Sequence, residues 1–364
     1  MLEKEEYKRY NRHLILEEVG QQGQLKLKAA KVLMIGAGGL GCPILQYLTA
    51  AGVGNIGIID FDVVDVSNLQ RQILFASADV GKNKAEAAAT NLKRLNPFVN
   101  ITVFPYRLTV NNALRLFDEF DIIVDGTDNF STRYLVNDAS IISNKPLVYG
   151  SIYKFQGQIS VFNYKNGPSY RCLFPEPPKA GTIKNCSEIG VIGILPGIVG
   201  VQQANEVIKI ILEIGETLSG RLLIYDALKA NYMQVGIHKS DNEIQLVLDR
   251  KDTFESYDYD LFCGIKNNNS AEGIDKIQLN KWIGNDTVQI VDLREGWEEP
   301  ALEGANVQRI TMSELADSFS LFAVDKTIVL VCQTGVRSNH VKKILKETKK
   351  YKKIVELSGG LTAL

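Results

Sequence analysis

The run KVLMI, residues 31–35, leads straight into Gly36-Ala37-Gly38-Gly39-Leu40-Gly41. A buried strand, a glycine-rich turn and a helix pattern over 43–51 open a βαβ unit of a parallel sheet. Pro43 falls near the first turn of that helix, where its missing N–H does no harm. Residues 53–60 (VGNIGIID) read as the next strand. The alternation continues with helix 82–96, strand 101–105, helix 111–119, strand 122–125, helix 132–143 and strand 146–149. Residues 158–162 alternate with period two, and 200–214 form a long amphipathic helix with Gly215 at its C-cap. This order predicts an α/β fold with a Rossmann-like parallel sheet. The pattern weakens over 239–273, and 267–273 is polar and rich in turn formers, as a linker is. It then restarts with strand 288–292, helix 312–322, strand 327–331, a basic helix 338–349 and strand 354–357. Two domains are expected, 1–266 and a small α/β domain at 274–364, joined by linker 267–273.

Composition removes whole classes of function. Lys and Arg number 41 against 42 Asp and Glu, a balance unsuited to coating nucleic acid or an anionic membrane. Five cysteines are an odd number spread along the chain, which fits a reducing compartment better than a disulfide framework. MLEKEEYKRYNRH has no apolar core of a signal peptide, and VIGILPGIVGV (191–201) is too short to span a bilayer. It reads as a buried segment, and the chain is expected to be cytoplasmic. His13, His238 and His340 share no ligand spacing, so His-based metal or triad chemistry is not expected. Trp282 and Trp297 are expected to pack inside the second domain.

Gly36-x-Gly38-x-x-Gly41 between a strand and a helix is a phosphate-binding turn. Asp60 lies 19 residues past Gly41, where a ribose-binding acid belongs. These features alone fit an NAD-dependent enzyme. The residues that follow point elsewhere: Ser67-Asn68-Leu69-Gln70-Arg71-Gln72, then Lys82-Asn83-Lys84, then Asp125-Gly126-Thr127-Asp128-Asn129 with Arg133 beyond. In an open parallel sheet the ligand sits outside the carboxyl ends of the strands, so Asp60, Arg71 and Asp128 should gather at one crevice. Cations beside a carboxylate suit ATP with Mg²⁺: the cations meet phosphate charge and a carboxylate holds the metal. No Walker P-loop is present in the sequence.

Arg9-Tyr10-Asn11-Arg12-His13, GAGGLG, DFDVVDVSNLQRQ, VGKNKAE and DGTDNFSTR together resemble the ThiF/MoeB/HesA family of ubiquitin-activating-enzyme-like adenylyltransferases. The resemblance implies ATP- and Mg²⁺-dependent adenylation of the C-terminal glycine of a MoaD-like or ThiS-like sulfur carrier ending in Gly-Gly. The product would serve molybdopterin or thiamin biosynthesis. It places nucleotide contacts on Gly39, Asp60, Ser67, Asn68, Arg71, Lys84, Asp128 and Asn129. It also implies that Asp128 holds the Mg²⁺, and a homodimer in which Arg12 reaches into the partner's site.

Cys42, beside the phosphate turn, reads as a packing residue. The family's zinc site has two Cys-x-x-Cys pairs. Here the first reads Ser169-x-x-Cys172, and the best match to the second is Asp260-x-x-Cys263. With one thiolate left in each pair, zinc is expected to be lost and Cys172 and Cys263 to be remnants. Cys186 occupies the loop position that relatives use near the carrier's C-terminus, and Lys184 could lower its pKa. Cys332 follows the buried strand TIVLV and opens Cys332-Gln333-Thr334-Gly335-Val336-Arg337-Ser338 before a helix. Backbone N–H groups there would face one sulfur and stabilise a thiolate or persulfide. With Asp292-Leu293-Arg294 upstream and LSGGLT at the end, 274–364 resemble a rhodanese domain. The composite reading is adenylation followed by sulfur delivery from a Cys332 persulfide, loaded by a cysteine desulfurase or a small sulfur donor. The alternatives are an NAD enzyme and an adenylyltransferase with a non-catalytic rhodanese tail.

Overall fold

A computed structural model describes residues 1–178, 190–265, 273–298, 300–333 and 335–361. The chain divides into two compact units, Met1–Ile265 and Lys266–Leu364. The first is built on an eight-stranded sheet: β1 (Lys31–Ile35), β2 (Asn55–Ile59), β3 (Asn100–Phe104), β4 (Ile122–Asp125), β5 (Leu147–Tyr153), β6 (Gln156–Phe162), β7 (Arg221–Asp226) and β8 (Asn231–Gly236). Their spatial order is β3-β2-β1-β4-β5-β6-β7-β8. β1 to β5 pair in parallel, and β5 to β8 pair antiparallel. Four of the five residues of β1 are buried, because helices cover both faces of a parallel sheet. Val32 and Met34 enter one apolar core, while Leu33 and Ile35 enter the other.

The chain leaves β1 in one direction through β2 and β3, then returns to place β4 on the other side. The sheet's topological switch point therefore lies at β1, where open α/β sheets bind ligands. Ile35 stands opposite both Ile59 and Asp125, so β1, β2 and β4 end level. The Gly36 amide donates to the Ile59 carbonyl at 2.9 Å, and that of Gly126 to Ile35 at 2.9 Å. Three chain turns leave the sheet side by side.

The second unit holds five parallel strands: β9 (Gly273–Ile274), β10 (Val288–Asp292), β11 (Val307–Arg309), β12 (Thr327–Val331) and β13 (Lys353–Leu357), ordered β11-β10-β12-β13-β9. Its faces are also packed separately, with Ile328 and Leu330 on one side and Val329 and Val331 on the other.

Several expectations need correction. The long helix runs Ile194–Leu212 rather than 200–214, with Pro196 tolerated in its first turn. Its left-handed end residue is Glu213 at φ 58°, not Gly215. Within 191–201 only part is buried: Leu195 and Val199 are, whereas Ile192 and Ile194 are exposed. The helix expected over 312–322 is two short 3₁₀ turns, Leu315–Asp317 and Phe319–Leu321. Trp297 is 78% exposed and does not pack in a core. The weakly patterned stretch after 239 forms the helix Asp241–Leu248 and the shorter turns Lys251–Ser256 and Tyr259–Phe262. No helix among the described residues is long and apolar enough to cross a membrane.

Candidate functional site

The phosphate turn is shaped by close backbone approach. Gly36 has φ 87° and lies against the Gly126 carbonyl, and a Cβ on Gly41 would sit 2.1 Å from the Gly36 oxygen. Neither position accepts a side chain without moving the turn. Asp60 braces the same turn, since its Oδ2 accepts from the Ala37 amide at 2.7 Å. Its Oδ1 accepts from the Asp62 amide at 2.9 Å. Burial pushes the Asp60 carboxyl above the usual range, and Lys84 pulls against it. Lys84 is itself buried and pairs with the exposed Asp62 at 3.1 Å. Asn83 locks the two segments by donating to the carbonyls of Asp60 and Asp62.

The segment 66–72 folds over the glycines. The Ser67 amide donates to Asp65 at 2.8 Å, and Asn68 accepts from the Asp65 amide at 3.3 Å. Leu69 packs on the apolar core, and Gln70 lies against Gly193. Arg71 donates to the Ser67 carbonyl at 3.0 Å, and its Cγ lies 3.6 Å from where a Cβ on Gly39 would stand. Gln72 is buried beside Gly38, and its Oε1 has no hydrogen-bond partner among the described residues.

At the end of β4, Asp125 is fully buried and organises the next turn. Its Oδ1 accepts from the Thr127 amide at 2.8 Å and the Thr127 hydroxyl at 2.6 Å. Arg133 donates to Asp125 Oδ2 at 3.4 Å and to the Thr127 carbonyl at 3.0 Å. Gln203, on the helix Ile194–Leu212, donates to the Asp125 carbonyl at 2.8 Å. The braced turn leaves Asp128 exposed, with no bonded partner among the described residues. Asn129 caps the helix Phe130–Ile142 by accepting from the Thr132 amide at 2.9 Å. The structure therefore brings Gly36–Gly41, Asp60, Arg71, Lys84 and Asp128 to one end of the sheet. Sequence reasoning missed Gln203, which reaches the turn from 78 residues away. It noted Arg133 without giving it a role.

In the N-terminal motif, Arg9 donates to the Leu95 carbonyl and Tyr10 is buried against Asn96. His13 bonds to Gln24 at 2.9 Å. Arg12 is exposed and without a partner among the described residues.

The thiols fall into distinct settings. Cys42 is fully buried with its sulfur against the Ala37 carbonyl, and burial pushes its pKa up to about 12. Burial pushes Cys263 up to about 12 as well. Cys172 does not bond to the 260–264 segment taken as its zinc partner. Its sulfur accepts from the amides of Ser169 at 3.3 Å and Ser240 at 3.2 Å. The 169–174 and 257–263 segments meet instead through Asp138, which takes two bonds from Arg171 (2.7 and 2.8 Å) and one from Tyr259 (2.9 Å). No group of three or more His, Cys, Asp or Glu among the described residues is placed to hold a metal. Cys186 and Lys184 lie outside the described residues.

In the second unit Cys332 is fully buried at the end of β12. Its sulfur accepts from the Gly335 amide at 3.1 Å and the Ser338 amide at 3.4 Å, with the Ser338 hydroxyl at 3.4 Å. Gly335, at φ 85°, turns the chain into the helix Val336–Glu347. The loop is backed by 358–361: the Leu361 amide donates to the Cys332 carbonyl at 3.0 Å. Converging N–H groups and a helix N-terminus favour negative charge on that sulfur.

The pattern of the ThiF family matches residues 10–246, and that of the rhodanese-like domain matches residues 275–364. A Mycobacterium tuberculosis protein named probable adenylyltransferase/sulfurtransferase MoeZ is 42% identical over 100% of this chain and 93% of its own. The sulfur carrier protein adenylyltransferase of Thermus thermophilus is 48% identical over 72% of this chain and 98% of its own. The adenylyltransferase and sulfurtransferase MOCS3 of Culex quinquefasciatus is 42% identical over 84% of this chain and 70% of its own. Among solved structures, Escherichia coli MccB with a MccA peptide aligns at TM-score 0.57 and 24% identity, over 64% of this chain and 72% of that one. At that identity the likeness speaks for the fold. The chain belongs to the ThiF family and carries a rhodanese-like domain at its C-terminal end. It is an adenylyltransferase, which sets aside the NAD-dependent reading.

Proposed function

We propose that the first unit adenylates the C-terminal glycine carboxylate of a ubiquitin-like sulfur carrier, and that Cys332 of the second supplies sulfur to it. The observation that carries the first half is the convergence of an open phosphate turn, Arg71, Lys84 and Asp128, which has no partner among the described residues, at the switch point. The names of the Thermus and mycobacterial relatives support carrier adenylation and sulfur transfer respectively. A carboxylate oxygen of the carrier attacks the α-phosphorus of ATP, and pyrophosphate leaves with the bonding electrons. No covalent enzyme intermediate is required, so positioning and charge stabilisation do the chemistry. Arg71 and Lys84 meet phosphate charge, and the helix Gly41–Ala51 directs its N-terminus at the phosphates.

An exposed carboxylate suits Mg²⁺, which takes one or two protein carboxylates and otherwise water and phosphate oxygens. Asp128 would hold it, and the ion would neutralise charge on the polyphosphate. Asp60 already accepts two backbone amides and serves the ribose end of the crevice. We assign the chain to a homodimer in which Arg12 reaches a partner's crevice. Its neighbours Arg9, Tyr10 and His13 are tied down, while Arg12 is exposed and has no partner among the described residues.

The outer sulfur of a Cys332 persulfide then attacks the acyl-adenylate carbonyl carbon and AMP leaves, giving an acyl disulfide. A thiol, which we assign to Cys186, attacks the Cys332 sulfur and releases the carrier thiocarboxylate. The disulfide left on the chain is returned to thiols by an external thiol reductant. The two amides that face the Cys332 sulfur support this role over a non-catalytic tail. Asp128→Ala should abolish carrier-dependent ATP–pyrophosphate exchange. Wild-type exchange in that variant would refute the nucleotide site.

A further inference from the structure

Every arginine bonded around the Cys332 loop already holds a carboxylate. Arg294 is fully buried and gives Asp292 two bonds, at 2.9 and 2.8 Å, and Gln333 one at 3.5 Å. Arg309 reaches the same Asp292 at 3.5 Å. Arg337, at the start of the helix Val336–Glu347, gives Glu298 two bonds, at 2.6 and 2.5 Å. Glu298 also accepts from the Glu295 amide at 2.8 Å, which fixes its position. The Arg337 and Glu298 side chains are only 21% and 12% exposed, so the pair is bidentate and largely out of water. Arg337 lies within the electrostatic reach of both Cys332 and Glu295. Arg294 and Arg309 thus share Asp292, and Arg337 is taken up by Glu298, so each of these guanidinium groups already has a carboxylate partner.

A small dianionic sulfur donor such as thiosulfate must approach a sulfur that reacts as an anion. An open guanidinium fork favours such capture, because the fork matches two oxygens of a sulfonate-like group. We propose that Glu298 is a specificity-determining residue for the sulfur donor: by occupying the Arg337 fork it disfavours small anionic donors and reserves Cys332 for a persulfide borne on a protein cysteine. This rests on Cys332 being the sulfur-carrying residue.

The test uses the full chain and the thiosulfate–cyanide reaction. The Cys332 thiolate attacks the outer sulfur of thiosulfate, the S–S bond breaks and sulfite leaves with the electron pair. Cyanide then removes the outer sulfur as thiocyanate and restores the thiolate. Glu298→Gln should lower KM for thiosulfate about tenfold, the scale of one hydrogen bond to a charged group, with kcat nearly unchanged. Glu298→Asp should stay near the wild-type KM, and the gain should vanish in the double variant Glu298→Gln/Arg337→Gln. In the wild type, added salt should change KM little, whereas in Glu298→Gln it should raise KM steeply. Should Glu298→Gln fail to fold, Glu298→Ala carries the same expectation, and the wild-type salt response stands by itself. An unchanged or higher KM in a folded variant, or a steep salt response in the wild type, overturns the proposal. Intact mass after incubation with a protein-borne persulfide separates the two layers. If the wild type and every variant gain no sulfur on Cys332, the sulfur-carrying reading falls and this inference falls with it. If they gain it and KM does not move, only the role of Glu298 falls.

Discussion

Cys42 and Cys332 are both fully buried, yet their surroundings differ in kind. Cys42 lies in the apolar core with its sulfur against the Ala37 carbonyl, and burial pushes its pKa up to about 12 although the Leu74 backbone opposes the shift. Cys332 faces two backbone donors, which favour the anion. The expected consequence is selective reactivity. Iodoacetamide at pH 8 should leave Cys42 and Cys263 unmodified in the folded chain, because burial places both near pKa 12. Peptide mass mapping reads this, and rapid labelling of either under native conditions would contradict it. The same contrast explains what was legible beforehand. Cys332 and the Gly36–Gly41 turn are local signals, in which neighbours along the chain supply the geometry. Gln203 and Arg133 act on the Asp125–Thr127 turn through side chains that carry no motif. Trp297 is exposed where its size and hydrophobicity predict packing, because those properties say nothing of which side of a short domain a residue faces.

Elements with strong apolar periodicity were readable; those held by remote partners were not. β1, β2 and β4 are buried on both faces and announce themselves as short apolar runs. β7 and β8 were not recognised. β8 is exposed along its whole length, so its residues carry no burial pattern, and it exists through its pairing with β7. The stretch after 239 is joined to the first unit through Asp138, Arg171 and Tyr259 rather than through apolar periodicity. Arg171 is further sandwiched between Tyr134 and Phe262, each ring centroid 4.8 Å away. Asp138→Asn should leave Arg171 buried without its counter-charge, at a cost of about 3–5 kcal/mol. Urea unfolding of the full chain checks this. A loss below about 1 kcal/mol, the range of an exposed pair, would show that the network is not what joins these segments.

At the scale of the whole molecule, two α/β units share one chain and divide two chemistries. The first has a crevice suited to phosphate and a carboxylate; the second has a sulfur surrounded by donors. On the proposed function, tethering the sulfur source to the adenylating unit would replace a bimolecular encounter with an intramolecular one and raise its effective concentration. The mass of the carrier's C-terminus tests the division of labour between the two units most directly. A sulfur carrier ending in Gly-Gly is incubated with ATP, Mg²⁺, a thiol reductant and a protein-borne persulfide. The wild-type chain should replace one carboxylate oxygen with sulfur. Cys332→Ala should still release pyrophosphate but leave no thiocarboxylate. Thiocarboxylate at wild-type yield from Cys332→Ala would contradict sulfur delivery by Cys332.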